Sequence, residues 1–156
     1  MIRMLTDPNE KRACVRRVLE ALRDWFEIEE NRERYIAEAA DEPCFVAEEG
    51  GEPMGFLCLK QTGRATVELA VMGVMPECHR RGLGQALFEA ARDWAAAQGY
   101  AFMQVKTVRL GVYPEYDATN RFYQAMGFRE FEVFPTLWDE ANPCQVYVMS
   151  LEGRCP

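Results

Sequence analysis

A short turn between a predicted strand and a predicted helix constrains this chain more than any other stretch. It reads Val74-Met-Pro-Glu-Cys-His79-Arg80-Arg81-Gly82-Leu83-Gly84-Gln85. Gly82 and Gly84 lack a Cβ, so the main chain there can curl and approach a ligand closely. The helix that follows points its unpaired N–H groups and the positive end of its dipole at this turn. The sequence therefore predicts an anion site, and phosphate or pyrophosphate is its natural guest.

Two arginines in this turn contrast with the acidic character of the rest of the chain. Lys and Arg together number 18 against 25 Asp and Glu, which gives a formal net charge of −7. This balance argues against a nucleic acid as the main partner and favours a cationic or neutral one. Arg80 and Arg81 can form charge-assisted hydrogen bonds to phosphate oxygens, and the alternative is that one of them faces only solvent.

The bulk composition limits the class of protein. A chain of 156 residues predicts one domain, residues 1–156, with its own core. The six cysteines form no C-x-x-C pair and no secretory segment opens the chain, so we expect reduced thiols and a cytoplasmic protein. No apolar run approaches the roughly 20 residues that span a bilayer, so no membrane partner is expected. His79 is the only histidine, which argues against a histidine-rich zinc site or a Ser-His-Asp triad, and we expect no metal.

Periodicity and punctuation predict alternating helices and strands. Asp7 is the expected N-cap of a first helix, and the paired glycines Gly50 and Gly51 predict a tight antiparallel hairpin. Helices are predicted from Pro8 onward, over about 31–40, from the turn to Gly99, and over 117–126; strands are predicted over 2–5, 44–48, 54–60, 65–74, 101–108, 128–134 and 145–151. The third helix would cross over between two parallel strands, so the sequence predicts an α/β fold.

Two known nucleotide-binding motifs are alternative interpretations of the turn. A dinucleotide-binding turn needs a third glycine three residues after the second, and this chain has Leu87 there. A P-loop needs G-x-x-x-x-G-K-[ST], and no such run exists in the sequence. The sequence therefore disfavours both.

Two motifs in order carry a resemblance to a known family. Val74 to Gln85 resembles the acetyl-CoA pyrophosphate motif of the GCN5-related N-acetyltransferases (GNAT), and Phe122 to Phe128 is similar to their F-Y-x-x-x-G-F signature. The resemblance extends over nearly the whole chain. It implies a single α/β (α+β) domain whose mixed, mostly antiparallel sheet has six to seven strands and about four flanking helices. It also implies a splay between the fourth and fifth strands, where acetyl-CoA would bind as co-substrate.

The resemblance also implies roles for individual residues. Tyr123 would donate a proton to the leaving thiolate, and its alternative role is packing on a short helix. Backbone N–H groups of Gly73 and Val74 would stabilise the oxyanion, whereas a glycine inside a strand also suits close packing under a helix. Glu68 would be the base, with a solvent-facing glutamate as the alternative; Gln104 occupies the other position where members carry a glutamate.

The same resemblance implies which residues contact acetyl-CoA, the acetyl donor. The implied CoA-binding residues are Gly73, Val74, His79, Arg80, Arg81, Gly82, Leu83, Gly84, Gln85, Asn120 and Tyr123. Tyr116 stands where many members have a CoA-contacting asparagine, and Asn120 lies nearby but out of register.

The expected function is acetyl transfer from acetyl-CoA to a primary amine of a small molecule or peptide, directly and in a ternary complex. The rival is a catalytically inactive CoA-binding sensor or interaction module, suggested by Gln104 and by the missing asparagine. Aromatic and acidic residues around Trp25 and Glu27 would suit an amine-bearing acceptor. The sequence also leaves room for a homodimer.

Overall fold

The computed structural model describes residues 1–153 of the chain. The elements are β1 (Ile2–Leu5), α1 (Pro8–Ala21), α2 (Glu29–Ala39), β2 (Cys44–Glu49), β3 (Glu52–Gln61), β4 (Thr66–Val74), a 3₁₀ turn (Pro76–Cys78), α3 (Leu83–Ala97), β5 (Phe102–Val108), α4 (Pro114–Ala125), β6 (Arg129–Asp139) and β7 (Asn142–Ser150). Cys155 lies outside the described residues.

The strands form one seven-stranded sheet in the order β1-β2-β3-β4-β5-β7-β6. The pairs β1–β2, β2–β3, β5–β7 and β6–β7 are antiparallel. β4 and β5 pair in parallel over Thr66–Glu68 and Phe102–Gln104. The mixed, mostly antiparallel sheet and the four α-helices of the described chain are confirmed. The splay between β4 and β5 stays a prediction.

The chain falls into two compact units, each with its own core. The first unit comprises Met1–Lys60 and Leu69–Trp94; the second comprises Gln61–Glu68 and the residues from Ala95 onward. In the first unit, the inner faces of α1 and α2 pack on buried residues of β1 to β4. In the second, buried side chains come mainly from β5 and β7. Burial of this apolar surface is the main stabilising contribution to each unit.

Local signals placed two features of the first unit correctly. The Asp7 side chain accepts a hydrogen bond from the Glu10 backbone N–H at 2.9 Å, so Asp7 caps α1 as predicted. Gly50 and Gly51 have φ angles of +58° and +82°, which a tight hairpin requires between β2 and β3. Both features depend on near neighbours in the chain, which is why the sequence shows them.

Other boundaries were wrong, and each for a local reason. α4 begins at Pro114, not at residue 117, because proline suits the first helical position and Tyr113 precedes it in an extended conformation. β6 and β7 continue past the predicted ends to a turn in which the Asp139 carboxylate accepts a hydrogen bond from the Asn142 N–H. Pro135 is tolerated within β6 because β6 is an edge strand.

Among the helices of the described residues, none combines the length and the apolar character required to cross a bilayer.

Gly73 on β4 is a packing position, and its substitution tests this part of the fold. A Cβ there would lie 2.8 Å from Leu22 Cδ1 and 3.1 Å from Val18 Cγ1, both on the inner face of the α1 region. We expect Gly73→Ala to lower the free energy of unfolding by about 1–3 kcal/mol, the usual cost of overpacking. Urea denaturation measures this change.

Gly63→Ala is the matched control. A Cβ at Gly63 meets its nearest atom at 4.0 Å, and its φ is not positive. We expect this control to change stability by less than about 0.5 kcal/mol. Equal stability of the two variants would contradict the packing role of Gly73.

Candidate functional site

The turn between β4 and α3 has the geometry of an anion site. Arg80 and Gly82 have φ angles of +66° and +80°, and α3 starts at Leu83. The Ala86 N–H donates to the Gly82 carbonyl at 3.0 Å, which closes the first helical turn. The N–H groups of residues 83–85 therefore precede the first acceptor within the helix and point out of its end. Their orientation and the helix dipole favour a negative charge in front of α3.

Gly82 is required for the backbone conformation and not for space inside the protein. A Cβ at this position would meet no protein atom within 4 Å. The left-handed φ of +80° is the reason that glycine suits the position. Arg80 adopts a similar φ without being glycine, and a non-glycine residue in this region indicates a constrained turn.

The structure distinguishes the two arginines of the turn. Arg81 forms an ion pair with Glu49 at 2.7 Å and also approaches the Cys78 sulfur at 3.5 Å. Arg80 is exposed, and its guanidinium has no ion pair or hydrogen bond within residues 1–153. Arg80 is therefore the cation of the turn that is available to a ligand.

His79 faces back onto the protein. Its Nε2 lies 2.8 Å from the Val74 carbonyl oxygen, and its ring meets Trp25 edge-on with the centroids 5.6 Å apart. An N–H on Nε2 would donate to that carbonyl, since a carbonyl oxygen only accepts. The histidine side chain therefore fixes the end of β4 relative to the turn, and the backbone beyond it remains the anion-facing part.

Gly73 and Val74 lie at the end of β4, in the same unit as the turn. The contacts around Gly73 support close packing under α1, which was one of its two expected roles. The oxyanion role of the two backbone N–H groups stays a prediction.

Glu68 is already paired with a cation. Its Oε1 lies 2.6 Å from Lys106 Nζ, and the Glu68 and Lys106 side chains are 16% and 30% exposed. Gln104 pairs with Glu68 across the β4–β5 ladder and donates instead to Thr62 Oγ1 at 2.8 Å. Residues 68 and 104 therefore share one face of the sheet, and Lys106, two residues further along β5, shares it with them.

Tyr123 lies on α4 with only 7% of its surface exposed. Its ring packs against Phe122 and Phe128, with the centroids 5.8 Å away in both cases, and against Tyr147 at 6.1 Å. Its carbonyl accepts a hydrogen bond from the Phe128 N–H at 3.0 Å. The signature containing Tyr123 thus forms one packed unit at the end of α4.

Asn120 is placed differently from the sequence expectation of a CoA contact. The residue is fully buried, and its Nδ2 donates to the carbonyls of Val108 and Tyr116 at 2.9 Å and 2.6 Å. Its Oδ1 accepts from the Tyr147 hydroxyl at 2.6 Å. Both amide hydrogens and the carbonyl oxygen are therefore engaged within the protein, and this side chain is an internal brace.

The cysteines of the described chain lie inside the protein. Cys14, Cys44, Cys58, Cys78 and Cys144 are all buried as free thiols. Burial raises the pKa of Cys14 to about 12, so this thiol stays protonated and unreactive at neutral pH. Within residues 1–153, no group of three or more His, Cys, Asp or Glu side chains could hold a metal ion.

Sequence reasoning missed two residues of this region. Strand alternation puts Lys106 on the same face of β5 as Gln104, but only the pairing of β4 with β5 brings it to Glu68. Tyr147 gave no local signal, since its contacts with Asn120 and Tyr123 join β7 to α4 over more than twenty residues of chain.

The chain is similar to proteins of one known family. Residues 13–128 match the model of the acetyltransferase (GNAT) family. The chain is 30% identical over 119 residues to the peptidyl-lysine N-acetyltransferase YiaC of Escherichia coli (strain K12), covering 76% of this chain and 68% of that protein. A solved GNAT-family structure from Desulfovibrio desulfuricans superposes with a TM-score of 0.84 at 22% identity, over 97% of this chain and 98% of that one. An aminoglycoside 6′-N-acetyltransferase solved with coenzyme A gives a TM-score of 0.80 at 16% identity, over 100% and 99% of the two chains.

The fold and the family match define a class of protein. The chain belongs to the GNAT family of acetyltransferases and is an N-acetyltransferase.

The strained turn predicts an unusual stability difference. Because Arg80 has a φ of +66°, glycine at this position should relieve strain that alanine keeps. We expect Arg80→Gly to be more stable than Arg80→Ala by about 1 kcal/mol, measured by urea denaturation. At a position with an ordinary φ, the alanine variant would be the more stable of the two. If Arg80→Ala proves more stable than Arg80→Gly, the left-handed conformation of Arg80 is contradicted.

Proposed function

We propose that this protein transfers the acetyl group of acetyl-CoA to a primary amine of a small molecule or a peptide, directly and in a ternary complex. Residues 1–156 would act as one N-acetyltransferase domain. The geometry of the turn before α3 carries this proposal. Two left-handed residues and a 15-residue helix pointing its N-terminus at the turn form a cradle that fits a pyrophosphate.

The residues of the turn fit the donor in distinct ways. The backbone N–H groups of Leu83, Gly84 and Gln85 would bind pyrophosphate oxygens, with Gly82 allowing close approach. Arg80 would add charge-assisted hydrogen bonds, because its guanidinium is unengaged within residues 1–153. Arg81 would contribute less direct binding, since Glu49 already holds it.

Acetyl-CoA supplies an acetyl thioester when it is bound. The acceptor nitrogen forms the new N–C bond to the acetyl carbonyl while the C–S bond breaks, so the sulfur leaves with its electron pair. Backbone N–H groups of Gly73 and Val74 would stabilise the developing oxyanion. Glu68 would take one proton from the ammonium group, which leaves the neutral amine that attacks. Tyr123 would give its hydroxyl proton to the sulfur, and the second proton, which the nitrogen loses as the amide forms, would restore the Tyr123 hydroxyl. Lys106, 2.6 Å from Glu68, would hold that carboxylate in place.

Charge and similarity support an amine as the acceptor. The net charge of −7 favours a cationic partner, and an aliphatic amine is cationic at neutral pH. The relative with 30% identity acts on peptidyl-lysine, a primary amine. Trp25, which is 48% exposed beside His79, offers an aromatic face for such a group.

The two arginines provide a matched test of the donor site. We expect Arg80→Ala to raise the Kd for acetyl-CoA by about tenfold or more, the effect of losing a hydrogen bond to a charged group. Arg81→Ala should raise it less, because Arg81 is paired with Glu49. Isothermal titration calorimetry measures both values. A larger effect at Arg81 than at Arg80 would contradict the assignment of Arg80.

The activity itself is tested by release of free CoA with a panel of amines and lysine peptides. We expect turnover with at least one primary amine, and Tyr123→Phe should lower kcat by about 100-fold or more. Tyr100→Phe is the control, because Tyr100 is half-buried just before β5 and takes no part in the site. Tight binding of acetyl-CoA without turnover on any amine would favour a CoA-binding sensor instead.

A further inference from the structure

The buried brace around Asn120 connects three elements of the second unit. Through its Nδ2, Asn120 donates to the carbonyl of Val108, where β5 ends, and to Tyr116 in its own helix α4. Its Oδ1 accepts from the hydroxyl of Tyr147 on β7. One side chain therefore joins α4 to the end of β5 and to β7.

Tyr147 completes this network from the strand side. Its hydroxyl donates to Asn120 Oδ1 at 2.6 Å and accepts from Gln124 Nε2 at 3.1 Å. Tyr147 is only 1% exposed. Burial raises the pKa of the Tyr147 phenol, partly offset by the hydrogen bond from Gln124, so the hydroxyl keeps its proton at neutral pH. The Tyr147 hydroxyl can therefore always donate its hydrogen bond to Asn120 at neutral pH.

Helical spacing puts Tyr123 inside the same cluster. Residues 123 and 124 each lie about one turn from residue 120 on α4, so both side chains neighbour that of Asn120. The Tyr123 ring is 6.1 Å from the Tyr147 ring and 5.8 Å from the Phe128 ring. The ring that the hydrogen bonds of Asn120 and Gln124 hold in place is thus one wall of the Tyr123 environment.

The network fixes the position of α4 because moving the helix would break several buried bonds together. A buried polar group that loses its partner costs about 1–3 kcal/mol. Rotation or sliding of α4 would separate Asn120 from Val108 and from Tyr147 in the same movement. Packing of Tyr123 against other aromatic rings by itself would tolerate such shifts more easily, because apolar contacts have little directional preference.

We propose that Asn120 and Tyr147 are positioning residues that hold Tyr123 in the orientation required for proton donation to the leaving sulfur. This inference rests on the proposed function, in which Tyr123 is the acid. Asn120 and Tyr147 act through Tyr123 and touch neither substrate. The hydrogen-bonded brace is therefore part of the catalytic apparatus, although it is buried.

A double-mutant cycle tests the proposal. Tyr147→Phe removes the two hydroxyl hydrogen bonds and keeps the ring. We expect it to lower kcat by about tenfold, since displacements near 1 Å have large effects on rate, while KM for acetyl-CoA changes less than about twofold. In the Tyr123→Phe background the same change should lower kcat less than about twofold, because the group to be positioned is gone.

Two further variants control for structural damage. Tyr100→Phe removes a half-buried phenol hydroxyl outside the network and should leave kcat unchanged. Gln124 is exposed, and Gln124→Ala removes only its hydrogen bond to the Tyr147 hydroxyl. We expect this variant to fold normally and to lower kcat about twofold to threefold. Thermal unfolding and near-ultraviolet circular dichroism establish that each variant is folded; if Tyr147→Phe does not fold, the cycle is run with Gln124→Ala.

The outcomes separate this inference from the proposed function. An equal loss of kcat from Tyr147→Phe with Tyr123 present and absent overturns the positioning role and leaves Tyr123 as the acid. A rise in KM for acetyl-CoA with kcat unchanged also overturns it, since the network would then serve binding. If Tyr123→Phe by itself leaves kcat unchanged, the acid assignment fails and the positioning role fails with it.

Discussion

The structure depends on how the chain passes from β4 into α3. Arg80 and Gly82 both take left-handed φ angles, and α3 begins directly after them. The first N–H groups of α3 have no acceptor within the helix and are directed at this turn. The ion pair between Arg81 and Glu49 and the contact of His79 with the Val74 carbonyl tie the turn to neighbouring strands. The anion site is therefore a consequence of how the chain must turn.

The glycines of this region serve two different physical needs. Gly82 has open space around it and is required for its φ angle. Gly73 has an ordinary φ, and a Cβ there would crowd the side chains of Leu22 and Val18. The sequence shows a glycine at both positions. Only the surrounding atoms show that one is needed for its φ angle and the other for close packing. The surroundings also distinguish Arg80 from Arg81, because Arg81 forms an ion pair with Glu49 at the end of β2.

The family resemblance gave roles to two polar residues of the second unit, and the structure shows the partners of each. The family resemblance implied that Asn120 contacts CoA, yet its amide hydrogens and its carbonyl oxygen are engaged by Val108, Tyr116 and Tyr147. Glu68 lies on the expected face of β4 but is paired with Lys106. In both cases long-range neighbours decide what the side chain can do, because a buried polar group must be satisfied wherever its partners lie.

The sequence by itself determined the order of elements, the cap at Asp7, the hairpin at Gly50 and Gly51, and the turn at Gly82, and with the two motifs it indicated the family. These features depend on residues a few positions apart, whose conformational preferences act locally. The packing at Gly73, the ion pair of Glu68 and the brace at Asn120 depend on residues brought together from distant parts of the chain. Only the tertiary structure decided these, because burial and hydrogen-bond pairing over long separations leave no periodic pattern in the sequence.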